Sequence, residues 1–178
     1  MRLLAIDPSL TCTGWAVMES ADSVIAHGTA TPKAGPIQDR IDELCADLEQ
    51  LAIGHLVGAV VIETPAMNMR GGRDRAVTSG AAYGFCAGQV FRALKAEGVQ
   101  RGFTVYGTSA TDWTKSLGSA VRRTRGDTYK LNRVRAVEYM IPSLKGGLGV
   151  KSKAGNVADA ILIGRWWFQR YETDRRIA

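Results

Sequence analysis

A chain of 178 residues, 46% hydrophobic and 22% charged, is ordinary for a soluble globular protein and suits one domain, residues 1–178, around one substantial core. No stretch is long enough to span a membrane, and the three cysteines Cys12, Cys45 and Cys86 show no paired metal-ligand spacing. Twenty-three Lys and Arg against 17 Asp and Glu leave a net charge of +6, which suits a polyanionic partner.

Residues 2–7 read as a short buried strand, because Leu3-Leu4-Ala5-Ile6 is continuously apolar until Asp7. That early acid also argues against a secretory signal, so the expected setting is the cytoplasm with reduced thiols. Asp7-Pro8-Ser9-Leu10-Thr11 is turn chemistry, since Pro8 fixes its own φ and holds Asp7 extended. Gly14 to Met18 and Ser23 to Thr29 follow as strands, joined through Ser20-Ala21-Asp22 into an antiparallel meander. Gly35-Pro36 opens a helix whose apolar face is Ile37, Ile41, Leu44, Cys45, Leu48 and Leu51. It ends near Gly54.

Ala59-Val60-Val61-Ile62 is a second continuous apolar run, stopped by Glu63, and reads as a central strand. Met67 to Arg75 is a loop with Gly71, Gly72 and the arginines Arg70, Arg73 and Arg75. A helix from about Ala76 to Ala96 carries Gly80, Gly84 and Gly88 at every fourth residue. Each glycine there costs about 1 kcal/mol relative to alanine, so close approach of another backbone is expected, from this chain's sheet or from a partner subunit. Phe103 to Tyr106 reads as a buried strand, and Thr108 or Ser109 caps a short helix bearing Trp113 and Leu117. A helix from about Thr128 to Met140 follows a basic loop, and the glycine-rich link Lys145 to Gly155 precedes the last helix. This order predicts an α/β fold: a mixed five-stranded sheet with helices on both faces, the layout of the ribonuclease H-like fold.

Asp7 and Glu63 then end adjacent strands at one sheet edge. Asp159 interrupts a helix that is apolar nearly all round from Val157 to Phe168. Buried carboxylates are costly unless hydrated, hydrogen-bonded or bound to a cation, so three at one point make a hard oxygen pocket for Mg²⁺ or Mn²⁺. Two such ions, about 3.5–4 Å apart, suit phosphodiester hydrolysis. Asn156, three residues before Asp159, has two readings: a weak fourth oxygen ligand, or the N-cap of the last helix. Lys115, Arg122, Arg123, Arg125, Lys130, Arg133 and Arg135, with Asp127 the one acid among them, read as a phosphate-binding stripe.

Leu4-Ala5-Ile6-Asp7-Pro8-Ser9 with Thr13-Gly14-Trp15, then Val61-Ile62-Glu63, then Ala158-Asp159-Ala160 together resemble the RuvC-type Holliday-junction resolvases. The resemblance implies a homodimeric endonuclease that uses Mg²⁺ or Mn²⁺ to cut four-way and other branched DNA. It makes Asp7, Glu63 and Asp159 catalytic ligands, brings Lys130 and Lys115 to the scissile phosphate, and makes the glycine-striped helix a dimer surface. The chain departs from the family where Asn156 replaces the usual Asp or His, and where Met67 and Met69 occupy the stretch that carries a stacking aromatic. Two other expectations compete: a catalytically silent binder of branched DNA, and a related nuclease acting on RNA or RNA–DNA hybrid.

Overall fold

The computed structural model describes residues 1–64, 74–117, 127–149 and 151–177, with the backbone alone over 74–80, 127–129, 151–152 and 172–177. Its elements are β1 (Leu3–Asp7), β2 (Thr13–Ser20), β3 (Ser23–Ala30), α1 (Ile37–Gly54), β4 (Ala59–Glu63), α2 (Asp74–Arg101), β5 (Thr104–Thr108), α3 (Ala110–Thr114), α4 (Asp127–Met140) and α5 (Lys151–Ile177). A single 3₁₀ turn, Pro142–Leu144, separates the last two helices.

The sheet runs β3-β2-β1-β4-β5. The first three strands form the expected antiparallel meander, while β1–β4 and β4–β5 are parallel pairs. Period-two alternation divides β1 between two cores. Leu3 and Ala5 join Ala59 and Val61 beneath α4 and α5, whereas Leu4 and Ile6 join Val60 and Ile62 beneath α1 and α2. Both faces are covered, which is why these strands are unbroken apolar runs. Burying each large side chain such as Leu3, Leu4, Ile6 or Ile62 stabilises the fold by about 1.5–3 kcal/mol. The mixed five-stranded sheet with helices on both faces is the ribonuclease H-like arrangement, and the sheet is open.

Three sequence expectations change. The strand expected at Phe103 to Tyr106 runs Thr104–Thr108 and is an edge, with only Thr108 buried. Among the described strands it pairs with β4 alone, and Thr104, Tyr106 and Gly107 are exposed. The last helix starts at Lys151, well before the glycine-rich link was expected to end. Gly155 lies inside it, because a Cβ there would come within 2.8 Å of the Lys130 side chain. The glycine is a space requirement, not a break. In α2, a Cβ on Gly88 would meet no described atom within 4 Å, so the chain's own sheet does not explain that glycine.

Helix α5 lies unusually close to the sheet. A Cβ on Gly14 of β2 would collide with the Asn156 carbonyl, and one on Gly164 would sit 2.5 Å from the Met18 sulfur and 3.0 Å from the Ala5 Cβ. These glycines set the height at which α5 carries its polar residues over β1. Gly14→Ala must push α5 off the strand, and overpacking of this kind costs about 1–3 kcal/mol or more. Denaturant titration should show a lowered midpoint with an unchanged slope; an unchanged midpoint would contradict this packing.

Candidate active site

Asp7 and Glu63 are the last residues of β1 and β4. The parallel register pairs Ile6 with Ile62, so the next residue on each strand leaves the sheet at the same edge. Past Asp7 the chain turns sharply and is closed by Thr13. Its buried hydroxyl accepts from the Ser9 amide at 2.9 Å and donates to the Ser9 carbonyl at 2.8 Å. That closure holds Asp7 against β2, where it pairs with Gly14.

Asp159 comes to the same place from α5, only 7% exposed between Ala158 and Ala160. The three acids share one electrostatic neighbourhood. Burial, then the charges of Asp159 and Glu63, push the Asp7 carboxyl well above its ordinary value, while Arg133 and Lys130 pull it back. Burial raises Asp159 to about 6 against the opposing pull of Arg133. A cluster that resists ionisation in this way is short of positive charge.

Protein donors hold the Glu63 and Asp159 carboxylates. Tyr83 Oη of α2 donates to Glu63 Oε1 at 2.8 Å, and Trp113 Nε1 of α3 donates to Glu63 Oε2 at 2.6 Å. Burial and the Glu63 charge hold the Tyr83 phenol far above its ordinary value, so it remains a donor. Arg133 of α4 forms an ion pair with Asp159 Oδ1, and its guanidinium lies 4.7 Å from the centre of the Trp113 ring. Lys130, one turn earlier on α4, donates from Nζ to Asn156 Oδ1 at 2.9 Å. Asn156 Nδ2 in turn donates to the Cys12 carbonyl at 2.7 Å, which ties the β1–β2 connection to α5.

Asp7, Glu63, Asp159, Lys130 and Asn156 are therefore brought together, and two expectations are corrected. Asn156 is not an N-cap, because α5 begins five residues earlier and its amide bridges Lys130 and Cys12. Arg133 does not belong to an exposed phosphate stripe: it is 5% exposed and committed to Asp159. A charge run in sequence cannot separate the cation that turns inward from those that face water. Lys115 is exposed, with Asp112 4.0 Å away. Met67, Met69, Arg70, Arg73, Arg122, Arg123 and Arg125 lie outside the described residues, as does the side chain of Arg75. Sequence reading missed Tyr83 and the role of Trp113. The available signal was chemical, since a buried Tyr or Trp must find a partner for its polar tip.

The donor set is carboxylate and amide oxygen, the chemistry that Mg²⁺ and Mn²⁺ select. Among the described residues, however, no three Asp, Glu, His or Cys side chains already close on one point. Glu63 is spanned by two neutral donors and Asp159 is held by Arg133, so the pocket suits a hard cation in charge and chemistry without being drawn shut.

No family model matches the chain. A 57-residue segment is 39% identical to the crossover junction endodeoxyribonuclease RuvC of Erythrobacter litoralis, covering 30% of this chain and 35% of that protein. The match thus spans about a third of that curated relative. Solved structures match almost throughout. T. thermophilus RuvC in complex with Holliday junction substrate superimposes with a TM-score of 0.68 at 15% identity, over 97% of this chain and 96% of that one. The Fowlpox virus resolvase complexed with Holliday junction DNA gives 0.60 at 10% identity, over 96% and 99%. The yeast mitochondrial Holliday junction resolvase gives 0.62 at 13% identity, over 98% and 80%. The chain has the fold of the RuvC-type Holliday-junction resolvases.

Proposed function

We propose that this chain is a metal-dependent, structure-selective endonuclease that hydrolyses phosphodiester bonds in branched DNA, four-way junctions above all. The observation that carries this reading is that Asp7 and Glu63 end adjacent strands at one sheet edge and Asp159 approaches them from α5, the charges of Asp159 and Glu63 both acting on Asp7 and that of Glu63 on Asp159. The RuvC and Fowlpox structures with the same fold hold Holliday junction DNA, which supports the substrate class.

Asp7, Glu63 and Asp159 would hold Mg²⁺ or Mn²⁺. A bound divalent ion supplies a water of lowered pKa and neutralises charge on the phosphate. The chain's own residues prepare the rest. Tyr83 and Trp113 fix the orientation of Glu63 from two sides, so its carboxylate needs little reorganisation. Lys130 is an exposed residue whose stem passes over Gly155 and whose tip is anchored by Asn156, close enough to the acids to lower Asp7. It is the ammonium best placed to meet a phosphate oxygen beside them. Paired cutting of a junction calls for a homodimer, and the space beside Gly88 on α2, where no described atom lies within 4 Å of a Cβ, is consistent with a second copy there. None of the described helices is long and apolar enough to cross a membrane, which is consistent with a cytoplasmic enzyme.

Asp7→Asn, Glu63→Gln and Asp159→Asn should each lower junction cleavage by more than the ~10–100-fold typical of losing a group that merely supports a metal ligand. Binding to the junction should persist. Cleavage assays on a four-way junction, a flap, plain duplex and an RNA–DNA hybrid, with gel-shift measurements alongside, decide this. Full activity in all three variants would remove the metal site, and preference for the hybrid would move the substrate class.

Proton linkage gives a second outcome. Asp159 has a folded-state value of about 6, above its ordinary 3.8, so the native site keeps a proton that the unfolded chain has already lost. The cost of charging Asp159 is absent below the unfolded value and grows as pH rises through about 6. Metal-free stability therefore falls over that window, while a divalent ion, which needs the ionised form, gains affinity. The rise in Tm on adding Mn²⁺ should be small near pH 5 and large near pH 7.5. An equal rise at both would contradict a cation seated beside the ionised Asp159.

A further inference from the structure

Helix α4 lays two fixed cations along one side of the acid cluster. Lys130 and Arg133 are three residues apart, so they share a helix face, and they meet Asn156 and Asp159, which share a face of α5 by the same spacing. The two pairs form a ladder between the helices. Arg133 is fastened more firmly than an ordinary ion pair: it is 5% exposed, and Trp113, itself 1% exposed, covers its guanidinium. Removing it from Asp159 would leave a buried carboxylate without its counter-charge.

Asn156 reinforces this arrangement. It is neutral, and both ends of its amide are in use, one on Lys130 and one on the Cys12 carbonyl. The α5 side therefore presents an amide already bonded and a carboxylate already paired. Once a bound cation has drawn all three carboxylates into their ionised form, they and the two cations of α4 together carry one net negative charge. A single divalent ion turns that to one positive charge, whereas a second would raise it to three in a partly buried pocket, where like charges repel more strongly than in water.

We propose that this site takes one divalent ion per chain, held chiefly by Asp7 and Glu63, and that Arg133 with Lys130 supplies the positive charge a second ion would bring. The proposal rests on the nuclease reading and departs from the two-ion expectation drawn from the sequence.

The test counts bound Mn²⁺ per chain by electron paramagnetic resonance of the free ion, in titrations without DNA. Wild type should bind one. Arg133→Met should bind two, a doubling, and so should Arg133→Met combined with Asn156→Asp, which adds a carboxylate where the amide stood. Arg133→Lys keeps the charge and should stay at one. Circular dichroism melts establish which variants fold; if the Met variants do not, the wild-type and Arg133→Lys counts decide. Two ions on wild type, with metal-dependent junction cleavage intact, would overturn the proposal and leave the nuclease standing. A second ion on Arg133→Lys, or still one on folded Arg133→Met, would overturn the role of Arg133. No ion on wild type and no metal-dependent cleavage would overturn the nuclease reading and this proposal with it.

Discussion

Asp159 sits almost fully buried on a helix whose neighbouring residues are alanine, valine and isoleucine, and Arg133 is what lets its charge remain there. Desolvation of a carboxylate in such a place costs several kcal/mol, and the attraction of one partner offsets it only when geometry is good and other donors are present. The surrounding structure follows from this constraint. Trp113 sets its ring 4.7 Å from the guanidinium carbon and turns its indole N–H to Glu63, so one buried ring steadies a cation and an anion together. Tyr83 completes Glu63 from the opposite helix layer.

Small residues make that arrangement possible. Gly14 and Gly164 let α5 settle onto β2 and β1, which carries Asp159 down to the strand ends where Asp7 and Glu63 emerge. Gly155 clears a path for the Lys130 stem across α5. Asn156 then ties the loop after β1 to the helix through the Cys12 carbonyl, joining the elements that bear Asp7 and Asp159. The polar site and the packing of the core beneath it are one structural problem.

The parts legible in the sequence are those set by local pattern. Two unbroken apolar runs that stop at Asp7 and Glu63 announce central strands with acids at their ends, and Pro8 marks the turn beyond the first. Ser109 as an N-cap was also readable, and its hydroxyl does accept from the Asp112 amide. What pattern could not reveal depends on distant residues. Arg133 sits in a run of cations that reads as uniformly exposed, until α3 places Trp113 over it and α5 places Asp159 against it. Gly155-Asn156 has the chemistry of a helix start, but the Lys130 stem and the Cys12 carbonyl give both residues other work inside the helix. Phe103 to Tyr106 looks buried by composition, yet a strand at the end of the sheet has one neighbour only. In each case tertiary context overrode a local signal.

The central claim is that acids far apart in the chain act as one cation-holding cluster. Crystals grown with Mn²⁺ and measured at the manganese absorption edge test it most directly, because the anomalous signal locates the ion without assumption. The account predicts a peak in contact with the Asp7 and Glu63 carboxylates and beside Asp159, with Arg133 still in place. A peak elsewhere, or an empty pocket between three separated side chains in crystals saturated with the ion, would contradict it.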